Sequence, residues 1–193
     1  MSTIASTVRT WATQEVVADR RARSAIWLAA FVLAMVFGAQ VAVPVPFTSV
    51  PMTLQVLFVI LAGAVLGPWL GASAMAIYLA IGTAGAPVFS GGGAGLPWLV
   101  GPTGGYLVAM PAAAFVTGWI AGREGGSWRL LAGLLVGVVT IYAGGVSQLF
   151  ILTRQEPATL LELGVLPFLA GDATKVLVAL LLARMIRTKS LGR

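Results

Sequence analysis

Asp172 and Lys175 lie inside PFLAGDATKVLVALLLARMIR, residues 167–187, a stretch long and apolar enough to cross a bilayer. A charge within such a helix costs about 2.5–3.5 kcal/mol on insertion scales, so an acid and a base placed there mark a functional site by default. At i and i+3 they share one helix face, where they can pair with each other or jointly grip a ligand. The carboxylate accepts hydrogen bonds and the ammonium donates them. The pair therefore matches a ligand offering an N–H and a C=O side by side, as a cyclic urea or amide does. The competing role is an ion pair that only locks helix packing. It is a weak device, because an apolar pair of similar volume often serves stability as well.

Other chemistries are closed off by what the chain lacks. It has no Cys and no His, hence no thiolate nucleophile, no imidazole base and none of the usual soft or borderline metal ligands. Its acids are Glu15, Asp19, Glu124, Glu156, Glu162 and Asp172, and only Asp172 falls inside an expected span, so a two-carboxylate mechanism has no second member. The glycines around 91–95 are neither followed by Gly-Lys-Ser/Thr nor preceded by a strand, which excludes the P-loop and the dinucleotide pattern. The expectation is no enzyme, no metal and no cofactor.

The elements that must position the pair are those of a polytopic membrane protein. With 59% hydrophobic residues, 9% charged and a mean hydropathy of +0.96, the 193-residue chain is far more apolar than a soluble domain, which averages about 25% charged. No Asp, Glu, Lys or Arg occurs from Ser24 to Gly122, a run that holds several spans of about 20 residues. A net charge of +6 and a pI near 10.8 do not imply nucleic acid here. The basic residues sit just beyond apolar runs, where they set topology and meet anionic lipid headgroups. Arg20, Arg21 and Arg23 before the first apolar run, with AQVA at 39–42 after it, imitate a cleaved signal peptide. A retained anchor is the simpler account, since everything beyond is equally apolar.

The pattern predicts an all-α membrane protein of six transmembrane helices, at about 25–43, 54–66, 72–85, 106–122, 130–152 and 167–187. The first carries a small-residue row, Ala30, Ala34 and Gly38, and the fifth a GxxxG pair, Gly133 and Gly137, both suited to close helix approach. VPVPFTSVPMT, with Pro44, Pro46 and Pro51, cannot be regular helix and reads as an extended connection tucked into the protein. APVFSGGGAGLPWLVGPTGG, residues 86–105, is dense in Gly and Pro yet apolar, which predicts a packed, irregular lid rather than a solvated loop. Placing both termini in the cytoplasm leaves Arg154 as the one basic residue of an outer loop. The chain then divides into a cytoplasmic segment 1–24, a six-helix substrate-binding domain 25–187 and a cytoplasmic tail 188–193. The proline segment, the lid and the Asp172 end of the last helix converge on the outer face, where an external ligand would enter.

VPVPFTSVPMTLQ (43–55), GAPVFSGGGAGLPWLVGPTGGY (85–106) and PFLAGDATK (167–175), in this order and spacing, resemble the BioY family of biotin-binding S components of energy-coupling factor transporters. The resemblance implies biotin capture in a bacterial inner membrane, with Asp172 and Lys175 at the ureido ring. It gathers Thr48, Phe89, Ser90, Gly91, Gly92, Gly93, Trp98, Thr103, Gly104 and Tyr106 around the ligand. It also implies a transmembrane coupling subunit, met through a surface like Ala30/Ala34/Gly38, and ABC-type ATPases that consume the ATP. The family often places an Asn or Arg near the glycine lid, whereas this chain has no Asn and no charge there. Backbone N–H groups of Gly91 to Gly95, as an anion nest, with Thr48, Thr103 or Tyr106, would meet the valerate carboxylate instead. Two rivals stand beside this reading. An S component for another vitamin keeps the architecture and changes the pocket. A stand-alone channel or membrane enzyme is disfavoured by the lack of catalytic side chains and of a polar row through the helices.

Overall fold

The structure is a computed structural model that describes residues 20–46, 48–122 and 125–191. Most of the expected segment 1–24 and the last two residues of the tail lie outside them. In order, the chain forms α1 (Arg20–Gln40), a hairpin of β1 (Ala42–Val43) and β2 (Met52–Thr53), α2 (Gln55–Leu66), α3 (Pro68–Thr83), a short α4 (Pro97–Val100), α5 (Gly104–Ala121), α6 (Ser127–Thr153), α7 (Pro157–Gly164) and α8 (Leu169–Leu191). Four stretches, Ala22–Gln40, Gly104–Ala121, Ser127–Thr153 and Pro157–Arg187, are long and apolar enough to cross a membrane, while α2 and α3 are shorter at 12 and 16 residues. This is a multi-pass membrane protein.

The helix ends differ from the expected ones for local reasons. The turn at GPWLG shrinks to one residue. Gly67 takes φ 86°, open to glycine at little cost, and Pro68 follows at the first helical position, where its missing N–H is no loss. Helix α1 is helical from the first described residue, Arg20, through Gln40. Arg154, Glu156 and Glu162 read as a polar loop before the last helix, but Pro157 starts α7 there after Arg154 closes α6 in the left-handed region. In the proline segment, Ala42 pairs with Thr53 and Val43 with Met52, an extended connection as the prolines require.

Small residues set the closest packing. A Cβ on Gly105 would strike the Gly144 carbonyl oxygen, and one on Gly144 would come within 2.7 Å of the Gly105 carbonyl oxygen, so the α5 and α6 backbones meet directly. Gly133 and Gly137 continue the seam along Thr117 of α5, the role expected of the GxxxG pair. Helix α2 is too short to need lipid contact. It sits in the middle of the bundle, touching α1, α3, α5, α6 and α8. Leu33, Phe37, Val139, Leu177 and Leu181 point outward and exposed, as side chains facing lipid tails do.

The irregular elements gather at one end. Leu54 N–H donates to the Gly38 carbonyl at 3.1 Å and Gln40 Nε2 to the Phe89 carbonyl at 3.1 Å, joining hairpin, α1 and glycine segment. Gln148 Nε2 on α6 holds the Leu99 carbonyl at 2.8 Å, and Tyr106 OH on α5 donates to the Gly164 carbonyl of α7 at 2.8 Å. At the far end, Arg187 Nε of α8 donates to the Ala64 carbonyl near the end of α2 at 3.0 Å, satisfying an acceptor the helix leaves over.

The seam makes a direct prediction. Gly105→Ala forces α5 and α6 apart and should lower stability by about 1–3 kcal/mol, the usual cost of overpacking. Gly126→Ala, where a Cβ meets nothing within 4 Å among the described residues, should stay within about 1 kcal/mol of the parent. Thermal unfolding of the two detergent-solubilised variants checks this, and equal midpoints would contradict the seam.

Candidate ligand-binding site

Asp172 falls in the first turn of α8, where the helix dipole favours an anion, and Lys175 follows one turn later. Lys175 Nζ donates to Asp172 Oδ1 at 2.6 Å. Tyr142 OH, from α6, donates to Asp172 Oδ2 at 2.5 Å. Both carboxylate oxygens thus have a donor, although Asp172 is only 3% exposed and Lys175 7%. The ammonium has three N–H donors, and Asp172 is its one protein acceptor among the described residues. Donors on Lys175 and spare lone pairs on Asp172 remain for a ligand.

Both side chains line a cavity of about 600 Å³, counting the open space at its mouth. Its apolar walls include Val50, Pro51 and Met52 of the hairpin, Val56 of α2, Leu107 and Met110 of α5, Ile141 of α6, and Phe168 just before α8. Thr53 and Gln55 line it too. Gln55 is fixed by a chain of hydrogen bonds: Thr53 OH donates to Gln55 Oε1 at 3.2 Å, Gln55 Nε2 to Tyr78 Oη at 2.9 Å, and Tyr78 OH to the Val88 carbonyl at 2.9 Å. This chain ties the cavity wall to the root of the glycine segment.

Of the residues expected around a ligand, Asp172, Lys175, Ser90, Trp98, Thr103 and Tyr106 line the cavity. Thr48, Phe89, Gly91, Gly92, Gly93 and Gly104 do not. Thr48 Oγ1 accepts from Val50 N–H at 3.3 Å and closes its own turn. Phe89 is fully buried against Gly82 and meets the Tyr78 ring edge-on, with centroids 5.7 Å apart. Gly91 and Gly92 are exposed at φ 64° and 75°, the turn that lets Phe89 pair with Gly93. Gly93 lies under the Trp98 indole, leaving room for a ring that does line the cavity, and Gly104 is wedged against the Leu99 carbonyl. The expected anion nest is largely occupied as well. Gly92 N–H donates to the Phe89 carbonyl, Gly93 N–H to that of Ser90 and Gly95 N–H to that of Gly82, so three of its five amides serve the loop itself.

The small-residue row splits. Ala30 is exposed and Ala34 half-buried, but Gly38 is buried against the Phe58 ring of α2 and belongs to the bundle. Sequence reasoning missed Tyr142 and Gln55. A signal existed for the first: the chain has three tyrosines, Tyr78, Tyr106 and Tyr142, each inside an expected span where a hydroxyl needs a partner.

A model of the BioY family matches residues 8–191 of this chain. The chain belongs to the BioY family. Its relatives include the probable biotin transporter BioY of Pyrococcus horikoshii, 41% identical over 167 residues, with 86% of this chain and 98% of the relative covered. The biotin transporter BioY of Rhodobacter capsulatus is 40% identical over 166 residues, covering 80% of this chain and 87% of that protein. Among solved structures, the S-component for biotin from an ECF-type ABC transporter superposes with a TM-score of 0.80 at 25% identity, over 88% of this chain and 93% of that one. The BioY-family fold therefore extends across the cavity and all the elements that build it.

Tyr142→Phe removes one donor from a buried carboxylate. Hydrogen bonds to charged groups contribute about 1.5–3 kcal/mol, so the variant should melt measurably earlier in detergent. A midpoint equal to the parent's would mean that the hydroxyl does not hold Asp172.

Proposed function

We propose that this chain is the biotin-binding S component of an ATP-driven vitamin uptake transporter, and that Asp172, Lys175 and Tyr142 receive the ureido ring. The observation that carries the reading is a buried acid and base, side by side with donors and lone pairs left over, in the wall of an otherwise apolar cavity. A ureido N–H gives Asp172 a further hydrogen bond, and the ureido C=O takes an N–H of Lys175. Met110, Ile141 and Phe168 suit the thioether ring and the aliphatic chain. Biotin transporters among the relatives, and a solved S component for biotin with the same fold, support the assignment.

In this reading α2 and α3 complete six spans, both termini face the cytoplasm of a bacterial cell, and the cavity opens outward under a lid made by residues 86–105. The basic residues of the sequence support the orientation through the positive-inside rule. Ala30 and Ala34 offer a coupling subunit a smooth helix face, and partner ATPases supply the energy. No cofactor is needed by the chain itself. Specificity for biotin over another vitamin rests on the paired donor and acceptor, which a ligand lacking adjacent N–H and C=O groups leaves unmatched.

Two experiments test this. Removing one charge alone strands the other, at about 3–5 kcal/mol, so the informative variant is Asp172→Leu with Lys175→Met. It should remain folded in detergent and lose biotin affinity by at least about a hundredfold, because a site built for polar groups discriminates strongly against losing them. A folded double variant with parental affinity would make the pair structural. For the partner surface, Ala30→Trp should block co-purification with the coupling subunit and leave biotin binding by the isolated chain intact. Loss of biotin binding in that variant would place Ala30 inside the bundle.

A further inference from the structure

The cavity is electrostatically lopsided. Its deep part holds Asp172 and Lys175, both buried and already paired, and among the described residues these are its only charged lining residues. Its half-exposed side, at Pro51, Trp98 and Thr103, has none. That follows from the sequence, because the hairpin, the glycine segment and α5 all fall between Ser24 and Gly122, where no charged residue occurs. Arg154 stands exposed at the end of α6 and is not part of the lining. Most of the glycine segment's own nest is taken as well. The amides of Gly92, Gly93 and Gly95 are donated within the glycine segment and to the end of α3.

A carboxylate taken out of water without a cation or several N–H donors costs several kcal/mol. A ligand held at its head by Asp172 and Lys175 therefore keeps an acidic tail at the wet mouth. The lining hydroxyls of the glycine segment are neutral, the half-exposed Thr103 and the buried Ser90. A hydroxyl both donates and accepts, so it takes an ester or amide oxygen as readily as a carboxylate oxygen. We infer that the site reads only the head of its ligand: it takes biotin whose carboxyl group is free, esterified or amidated, without requiring the negative charge. The substrate class is then the ureido head with an open tail, its carboxyl group free or carried as a small ester or amide.

This rests on the biotin reading, and one titration series keeps the two separable. The full chain, purified in detergent, is titrated calorimetrically with biotin, biotin methyl ester and the primary amide of biotin. All three dissociation constants should agree within about tenfold. Tight biotin binding with either neutral derivative weaker by more than that overturns the inference and leaves the biotin reading standing. If biotin itself does not bind, both fall.

Discussion

A carboxylate buried in a bilayer protein has no water to turn to, and much of this architecture follows from keeping Asp172 supplied with donors. One donor comes from its own helix, Lys175 Nζ, and the other crosses from α6 as Tyr142 OH. For that hydroxyl to arrive, α6 has to stand beside α8 at the level of its first turn. The position of α6 is set in turn by glycines. Gly105 and Gly144 let it lie directly on α5, and Gly145 leaves the space that the Tyr106 ring fills. Tyr106 then reaches the Gly164 carbonyl and fixes α7, the element that leads into α8. Satisfaction of one charge and backbone-to-backbone contact between two helices are parts of the same geometry.

The far wall of the cavity is held by different means. Hairpin and glycine segment are irregular backbone, tolerable at membrane depth only where protein supplies their partners. Side-chain amides do much of this: Gln40 holds the Phe89 carbonyl, and Gln148 holds those of Leu99 and Gly101. Gln55 and Tyr78 add an internal strut from hairpin to glycine segment. The chain contains no Asn, so the long, flexible amide of Gln performs every such bridge.

Much of the fold was legible because apolar run length and punctuation by Gly and Pro are local signals. The second helix was expected at 54–66 and runs Gln55–Leu66, and the charged pair was recognisable from burial cost alone. What escaped depends on tertiary contact. Nothing local distinguishes Phe89, which fills the space over Gly82, from Trp98, which faces the cavity. Gly93 and Gly104 look like hinge glycines but are spacers, fixed by the indole and the carbonyl they lie against. Tyr142 becomes a carboxylate ligand only because α6 and α8 are neighbours. Helix α7 was hidden by its charge, since Glu162 suggests solvent whether the backbone is coiled or helical.

The order of the chain also bears on its biosynthesis. Both buried charges lie in the final helix, and every other lining residue of the cavity precedes them. Synthesis proceeds from the N-terminus, so Tyr142 emerges before Asp172 does. The most costly segment to insert enters last, and its acid arrives with a base one turn behind it and a hydroxyl already made. A nascent chain stopped short of residue 169 would carry most of the bundle and all of the cavity lining but its two charges.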